Sequence, residues 1–384
     1  VLGVFLAWLA LLTAREFLSE ESARWALLFL VLSPYYSFNT AGLMSHTLSA
    51  VLLSAALLLT LRFTRLRRLS LGMAMLIVLT LALQVRPMTA AVMGVPLILF
   101  ATLELHGNSQ LPKWVACVVF AGMVMITSQA AYQYLYTGNP WTSPYEQAWV
   151  QANGKLFVSS AAELLENVRS RLRTELQGTA FAWLPFLPLL AANALRSSQS
   201  IPRPALLLLV IALALPASTL LNRFASHSHP LFGDRFYFEA FPSVAVLGGL
   251  GWSLLIERWT PSPWAVRALV ALLVVTATVQ ITLTRSVLAP AFEPRRSMRA
   301  AADQLLFTNA VVFFRSDVYR PKSYNINAAD WKRAPIVYLQ DPGPALREQV
   351  VCGLGRSAYA VLVYEQARPQ ATIETRGAAW CQAR

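Results

Sequence analysis

Long apolar runs without a charged side chain fill much of the first three quarters of the chain. Residues 25–61 and 114–145 contain no Asp, Glu, Lys or Arg. Because a helix needs roughly 20 apolar residues to cross a bilayer, the first run is long enough for two helices, and Ser33-Pro34 marks a turn near its middle. The pattern predicts about ten membrane-spanning helices, over residues 1–14, 24–38, 43–62, 71–86, 90–105, 113–135, 179–195, 204–222, 241–256 and 264–286.

Basic residues cluster in the short segments between these runs, which is typical of cytoplasmic loops. The densest cluster comprises Arg62, Arg65, Arg67 and Arg68, and it predicts that this loop faces the cytoplasm. Because successive helices alternate in direction, this one assignment sets the side of every other loop. The outer side then receives the loops at 36–42, 86–87, 136–178 and 223–240, and all residues from 288 onward.

The long outer loop at 136–178 contains a second pattern. From Ala161 to Gln177, apolar residues recur at intervals of three and four positions, and Glu and Arg occupy positions between them. This periodicity predicts an amphipathic helix that lies in the plane of the membrane interface.

The composition changes after Pro290, where short apolar runs alternate with helical patterns. Such alternation predicts a small α/β domain with a modest core. The predicted strands are 310–314, 335–339 and 359–364, and the predicted helices are 295–306 and 344–351.

The predicted fold class is therefore a mainly α, polytopic transmembrane protein. It has a transmembrane helical domain over residues 1–289 and a small extracytoplasmic α/β domain over residues 290–384. The second domain contains Cys352 and Cys381, and an oxidising outer compartment would allow a disulfide between them.

The overall composition supports a membrane protein and excludes several other classes. Hydrophobic residues make up 56% of the chain and charged residues 13%, whereas soluble domains carry about 25% charged residues. A formal net charge of +13 often indicates nucleic-acid binding. Here the bases lie in loops between apolar runs, so we expect membrane lipids and not nucleic acid as partners. The same figures exclude a disordered, collagen-like or disulfide-rich chain.

Ionisable side chains at membrane depth are costly, so each is a candidate for function. His46 begins the third predicted helix at its outer end, where it could bind a phosphate or carry a proton. Arg86, followed by Pro87, separates two apolar helices at the outer interface, and an arginine suits a phosphate because of its fork of donors. The alternatives are an interfacial histidine bonded to a backbone carbonyl and an arginine that anchors a helix end.

Two outer segments carry further candidates. Asn139 lies in a turn-rich segment whose aromatic neighbours could stack on a sugar or belong to an interfacial aromatic belt. Residues 227–237 include His229, Asp234, Arg235 and Tyr237, and Asp234 is the only aspartate in the first 289 residues. This second segment could form a lipid-phosphate or substrate site, a divalent metal site, or a solvated loop.

Several common catalytic signatures do not occur in the sequence. It contains no Walker A loop, no Gly-x-Ser-x-Gly elbow, no His-Glu-x-x-His and no Cys-x-x-Cys. Nucleotide-driven transport, serine hydrolysis and zinc peptidase chemistry therefore lack their usual motifs. No cofactor is indicated, and a divalent metal stays an open possibility.

The order of five short motifs over residues 1–290 resembles the bacterial GT-C-type glycosyltransferases, the polytopic enzymes related to protein mannosyltransferases and the aminoarabinose transferase. The motifs are Ser33-Pro34, Ser45-His46-Thr47, Arg86-Pro87, Thr137-Gly138-Asn139-Pro140 and Gly233-Asp234-Arg235-Phe236-Tyr237. The last motif departs from the family's Gly-Pro-Arg-Tyr. The resemblance implies an integral inner-membrane enzyme with an extracytoplasmic C-terminal domain.

The implied reaction is an inverting transfer of a sugar from a polyprenyl-phosphate carrier to a glycan, lipid or protein acceptor on the outer side. In such a reaction a carboxylate deprotonates the acceptor and basic residues hold the departing phosphate. The resemblance implies that Arg86, Arg235 and His46 contact the phosphate, with Asn139, His229 and Tyr237 near the substrate and Asp234 as the candidate base.

The family's own catalytic acid belongs to an outer loop that, in this topology, would precede Val1. We therefore expect a further segment upstream that carries the base. The alternatives are a transporter or flippase for a lipid-linked glycan, in which internal repeats are expected, and a non-catalytic membrane partner in envelope assembly.

Overall fold

The computed structural model describes residues 1–41, 45–143, 160–169, 202–220, 235–259, 262–303, 309–316, 334–365 and 368–378. The chain divides into two compact units, Val1–Thr282 and Leu283–Arg384.

Helices make up the described part of the first unit, and the last of them continues into the second. They are α1 (Leu2–Arg15), α2 (Glu20–Leu32), α3 (Pro34–Ala41), α4 (Ser45–Leu66), α5 (Leu69–Val85), α6 (Pro87–Glu104), α7 (Leu111–Thr137), α8 (Arg203–Leu220), a 3-10 helix (Arg235–Ala240), α9 (Phe241–Trp259) and α10 (Pro263–Asp303). Residues 161–169 are also helical, and they form the described half of the predicted amphipathic helix. The predicted helix at 179–195 lies outside the described residues.

The described helices have the lengths and compositions that membrane crossing requires. Five are long and apolar enough to span a bilayer: Ser45–Leu66, Pro87–Glu104, Leu111–Thr137, Tyr237–Glu257 and Val266–Leu283. Three more are apolar but shorter: Leu2–Arg15, Leu69–Val85 and Arg203–Ser218.

The predicted span at 24–38 is two helices in the structure. Helix α2 ends at Leu32, and Ser33 is extended, with φ −70° and ψ 124°. Pro34 has no backbone N–H and disfavours helical geometry in the residue before it, which accounts for the break. Helix α10 is longer than predicted. It continues through Pro290 to Asp303 and joins the predicted span at 264–286 to part of the predicted helix at 295–306.

Helices α2 and α9 cross at very short range. A Cβ atom placed on Gly249 of α9 would lie 2.6 Å from the carbonyl oxygen of Ser22 and 2.7 Å from the Cβ of Ala26. The hydroxyl groups of Ser22 and Ser253 lie 2.5 Å apart across the same contact. Small residues let two helix backbones approach closely, which is a common way to join helices in a membrane.

Helix α7 packs mainly against α5 and leaves most of its surface exposed. Trp114 is its one fully buried residue, where the indole N–H donates to Thr102 Oγ1 at 3.0 Å. Farther along, Gln84 of α5 donates to Ser128 of α7 at 2.8 Å. Since Gln84 lies two positions before Arg86, this bond ties α7 to the end of α5.

The second unit contains a four-stranded sheet with the order β2-β1-β3-β4. Its strands are β1 (Ala310–Ser316), β2 (Ile336–Gln340), β3 (Ala358–Glu365) and β4 (Arg368–Ala378), and helix α11 (Pro344–Gly353) follows β2. β1 pairs in parallel with β2 and β3, whereas β4 is antiparallel to β3. The three predicted strands are present, and β4 was not predicted.

The second unit contains a disulfide-bonded cysteine and a buried ion pair. Cys352 is disulfide-bonded, while Cys117 of α7 is free; the predicted partner Cys381 lies outside the described residues. After β2, Arg347 of α11 binds both carboxylate oxygens of Asp341, at 2.8 Å and 2.7 Å.

Candidate functional site

His46 and Arg86 lie at the same end of the helix pair α4 and α5. His46 is the second residue of α4, and Arg86 directly follows α5 and precedes α6. Because α4 and α5 run in opposite directions and pack together, the start of one meets the end of the other. The Arg86 guanidinium donates to Nδ1 of His46, so the two residues selected from the sequence are in direct contact.

The backbone of Arg86 is held on both sides. Its N–H donates to the carbonyl of Ala82 at 2.8 Å, and its carbonyl accepts from the N–H of Ala90 at 2.9 Å. Pro87 is the first residue of α6, where its missing N–H is not needed. The joint between α5 and α6 therefore fixes the root of the arginine side chain.

The 3-10 helix brings a carboxylate to this pair. Glu239 Oε1 lies 2.5 Å from Arg86 Nη1 and 3.4 Å from His46 Nδ1. The Glu239 side chain is 0% exposed, while those of His46 and Arg86 are 8% and 15% exposed. The three side chains form a cluster that we call the His–Arg–Glu site.

The hydrogen bonds join one nitrogen of the arginine to both partners. An arginine can only donate, so Nη1 donates to the imidazole at Nδ1, and the other ring nitrogen, Nε2, lies 3.3 Å from the same Nη1. The same Nη1 donates to Glu239 Oε1. The opposite charges of Arg86 and Glu239 lie together within the site, which lowers the cost of burying them.

Glu239 has one carboxylate oxygen that these contacts do not use. Oε2 is buried and has no hydrogen-bond partner among the residues that the structure describes. A buried acceptor without a donor is unfavourable.

Aromatic side chains hold the 3-10 helix in place. Phe238, next to Glu239, is fully buried and packs against Tyr35 with ring centres 5.8 Å apart. Phe241 contacts the same tyrosine ring at 5.1 Å in an edge-to-face arrangement. The backbone that carries Glu239 is thus anchored on both sides of the carboxylate.

Two of the other predicted site residues, Asn139 and Tyr237, have described side chains. Asn139 is exposed in the turn after α7, where its side chain accepts from the N–H of Trp141 at 2.9 Å. Tyr237 is buried in the aromatic cluster of the 3-10 helix. Arg235 begins that helix, but its side chain lies outside the described residues, as do His229 and Asp234.

Glu239 was not selected from the sequence as a site residue. The predicted span began at residue 241, which left Glu239 among the acids of an outer loop. A signal was nonetheless present, because Glu239 is the one charged residue between Phe236 and Ile256 and a charge inside an apolar run indicates function. Its partners could not be identified, since they lie far away in the chain.

The described residues do not assemble a metal site. Within them, no group of three or more His, Cys, Asp and Glu side chains could hold a metal ion. The His-x-His and Asp234 pattern, from which a metal was considered, lies outside the described ranges.

The structure is similar to the crystal structure of ArnT from Cupriavidus metallidurans in the apo state. The likeness covers 94% of this chain and 77% of the ArnT chain, with a TM-score of 0.57 and 14% sequence identity. No protein-family model matches the chain, and no curated protein sequence gives a significant match. The chain is therefore a mainly α-helical, polytopic membrane protein with a small α/β part, and it has the fold of ArnT.

Proposed function

We propose that the chain is an integral membrane glycosyltransferase of the GT-C type. It transfers a sugar from a polyprenyl-phosphate carrier to an acceptor on the outer side of the inner membrane. The observation that carries the proposal is the His–Arg–Glu site: a buried, oriented arginine at the ends of apolar helices, within a fold shared with ArnT over 94% of the chain.

The site suits a lipid phosphate for two physical reasons. An arginine presents planar donors that match phosphate oxygens, and such charge-assisted bonds strengthen when water is excluded. Arg86 is only 15% exposed, so a phosphate that reaches it leaves most of its own hydration behind. The reactive end of the carrier would lie at the helix ends, and its hydrocarbon chain would lie beside the exposed apolar helices.

The remaining roles follow the expectations from the sequence. Arg235 and His46 assist Arg86 in holding the departing phosphate, and Asp234 is the candidate base for the acceptor hydroxyl. Asn139, His229 and Tyr237 contribute to substrate binding. In an inverting transfer the base and the phosphate-binding cations act on opposite sides of the sugar carbon.

The test is a transfer assay in detergent with a polyprenyl-phosphate sugar donor. Arg86→Ala and Arg235→Ala should each lower transfer by about tenfold or more, because each removes a charged contact worth about 1.5–3 kcal/mol. The matched control is Arg24→Ala: Arg24 is 72% exposed and its one described partner is Glu20, at 3.3 Å. Equal transfer by the wild type and both site variants would contradict the proposal. Movement of intact lipid-linked glycan without transfer would indicate a flippase instead.

A further inference from the structure

We propose that Glu239 is a positioning residue. Its buried carboxylate fixes the Arg86 guanidinium, and through it the His46 imidazole, in the orientation that receives a phosphate. The proposal rests on the proposed function for the identity of the ligand, and it adds a residue to which that function assigns no role.

The burial of Glu239 excludes direct contact between its carboxylate and a substrate in this conformation. Its side chain is 0% exposed, whereas Arg86 and His46 each retain some exposed surface. A residue that no ligand can reach acts on a ligand through its neighbours. The neighbours of Glu239 Oε1 are the Arg86 guanidinium at 2.5 Å and His46 Nδ1 at 3.4 Å.

The geometry restrains the arginine at both of its ends. An arginine side chain has several rotatable bonds, and binding loses affinity when it must order them. The root of Arg86 is fixed by its backbone bonds to Ala82 and Ala90, and its tip is held by Glu239. Phe238 and Phe241, packed on Tyr35, hold the backbone that carries the carboxylate in place.

The pattern of bonds differs from that of a bidentate ion pair. Asp341 and Arg347 in the second unit form such a pair, in which both carboxylate oxygens are bonded. In Glu239 one oxygen contacts both Arg86 and His46, while the other has no hydrogen-bond partner within the described part of the chain. The carboxylate is placed so that a single oxygen orients the guanidinium, and through it the imidazole.

The experiment measures binding of farnesyl phosphate, with farnesol as the probe that lacks the phosphate. The variants are Glu239→Gln, Arg86→Ala and the double variant, all in the full chain in detergent. The control is Glu257→Gln, which makes the same substitution at an exposed position near the other end of α9. Thermal melting and gel filtration establish that each variant is folded, and donor KM and kcat are measured beside binding.

We expect Glu239→Gln to weaken farnesyl phosphate binding by about tenfold and to raise the donor KM, because the two residues are coupled. In the Arg86→Ala background the same substitution should change binding by less than about twofold. Glu239→Asp retains the charge on a shorter side chain and should bind with an affinity between those of the wild type and Glu239→Gln. Glu257→Gln should bind farnesyl phosphate with the affinity of the wild type. The binding of farnesol should be the same in every variant.

Three results would overturn the proposal. Tighter binding by Glu239→Gln would mean that the carboxylate only repels the phosphate. Unchanged binding would mean that the carboxylate does not orient the groups that bind the phosphate. An equal loss with and without Arg86 would mean that Glu239 acts through the general stability of the fold. If these variants behave as expected but no sugar is transferred, the proposed function fails and the positioning role stands.

Discussion

At the scale of single residues, Arg86 is the side chain on which the proposed chemistry depends. It is charged, nearly buried, and shared between a carboxylate and an imidazole. One nitrogen of the guanidinium contacts both partners, which leaves the planar group in one orientation. A lysine could keep the charge, but its single nitrogen has no planar fork.

We therefore expect Arg86→Lys to lower transfer by about 10- to 100-fold, the equivalent of one lost charged contact. The melting temperature should change little, because the ammonium can still pair with Glu239. Kinetics and melting curves of the two proteins provide the measurement. Full transfer activity in the lysine variant would show that charge alone is sufficient.

Two of the three residues of the His–Arg–Glu site could be predicted from the sequence. His46 and Arg86 were found because each is a lone ionisable group at the end of an apolar run. Glu239 satisfies the same criterion, but it lies two residues before the predicted span and was therefore counted among the loop acids. The contact among the three could not be predicted, because residues 46, 86 and 239 approach one another only through the packing of α4, α5 and the 3-10 helix.

At the scale of elements, the crossing of α2 and α9 connects packing to the site. Helix α9 begins directly after the 3-10 helix that carries Glu239. A change in the distance between α2 and α9 therefore moves the backbone that carries the Glu239 carboxylate. Gly249 sets that distance, because the space for a Cβ atom is already filled by Ser22 and Ala26.

Gly249→Ala should destabilise the protein by about 1–3 kcal/mol, since the added methyl group forces the helices apart. Gly122→Ala is the matched control: it makes the same change in α7, where nothing lies within 4 Å of the new methyl group. Melting in detergent should show a lower midpoint for the first variant and no loss for the second. Equal midpoints would mean that the crossing is not close in solution.

The ion pair between β2 and α11 makes the stability of the second unit dependent on pH. Chiefly through its hydrogen bonds, the Arg347 guanidinium lowers the pKa of Asp341 below its usual value of 3.8. A carboxyl group with a lowered pKa stabilises the fold above its usual pKa and loses that contribution as the pH falls through the lowered value. The contribution should therefore be complete at neutral pH, begin to fall below about pH 4 and disappear once the pH is below the lowered pKa.

Arg347→Leu tests this expectation by leaving Asp341 buried without its partner. At pH 7 the second unit should lose about 3–5 kcal/mol of stability, seen as faster proteolysis of residues beyond 283 in the heated full chain. At pH 3 the variant and the wild type should differ much less. A difference that is the same at both pH values would place the loss in packing and not in charge.

The elements show which parts of a fold a hydrophobic pattern can predict. Charge-free runs located α4, α6 and α7, because a membrane helix must be apolar along its whole length. Strand β4 was missed because of its composition and not its position, since β2 is also an edge strand and was predicted. Its polar residues, such as Thr372 and Glu374, are exposed, so it has no continuous apolar run.

At the scale of the whole molecule, the positions of the arginines predict the direction in which the chain lies in the membrane. The cluster at 62–68 predicts that the end of α4 is cytoplasmic, which places the His–Arg–Glu site on the outer side. With an impermeant thiol reagent in intact cells, Ser160→Cys and Glu348→Cys should be labelled and Leu66→Cys should not. Labelling of position 66 without lysis would reverse the orientation.

Helix α7 makes the protein sensitive to the thickness of its bilayer. Its 27 residues span about 40 Å, roughly 10 Å more than the hydrocarbon core, so it must tilt or project. A thicker membrane lets it stand upright, and a thinner one forces it to lean. Gln84 donates to Ser128 of α7 and lies two positions from Arg86. A change in the tilt of α7 would therefore change the position of Arg86 in the His–Arg–Glu site. In vesicles of increasing acyl-chain length, transfer should pass through an optimum, and Ser128→Ala should flatten it; equal rates at every thickness would refute the coupling.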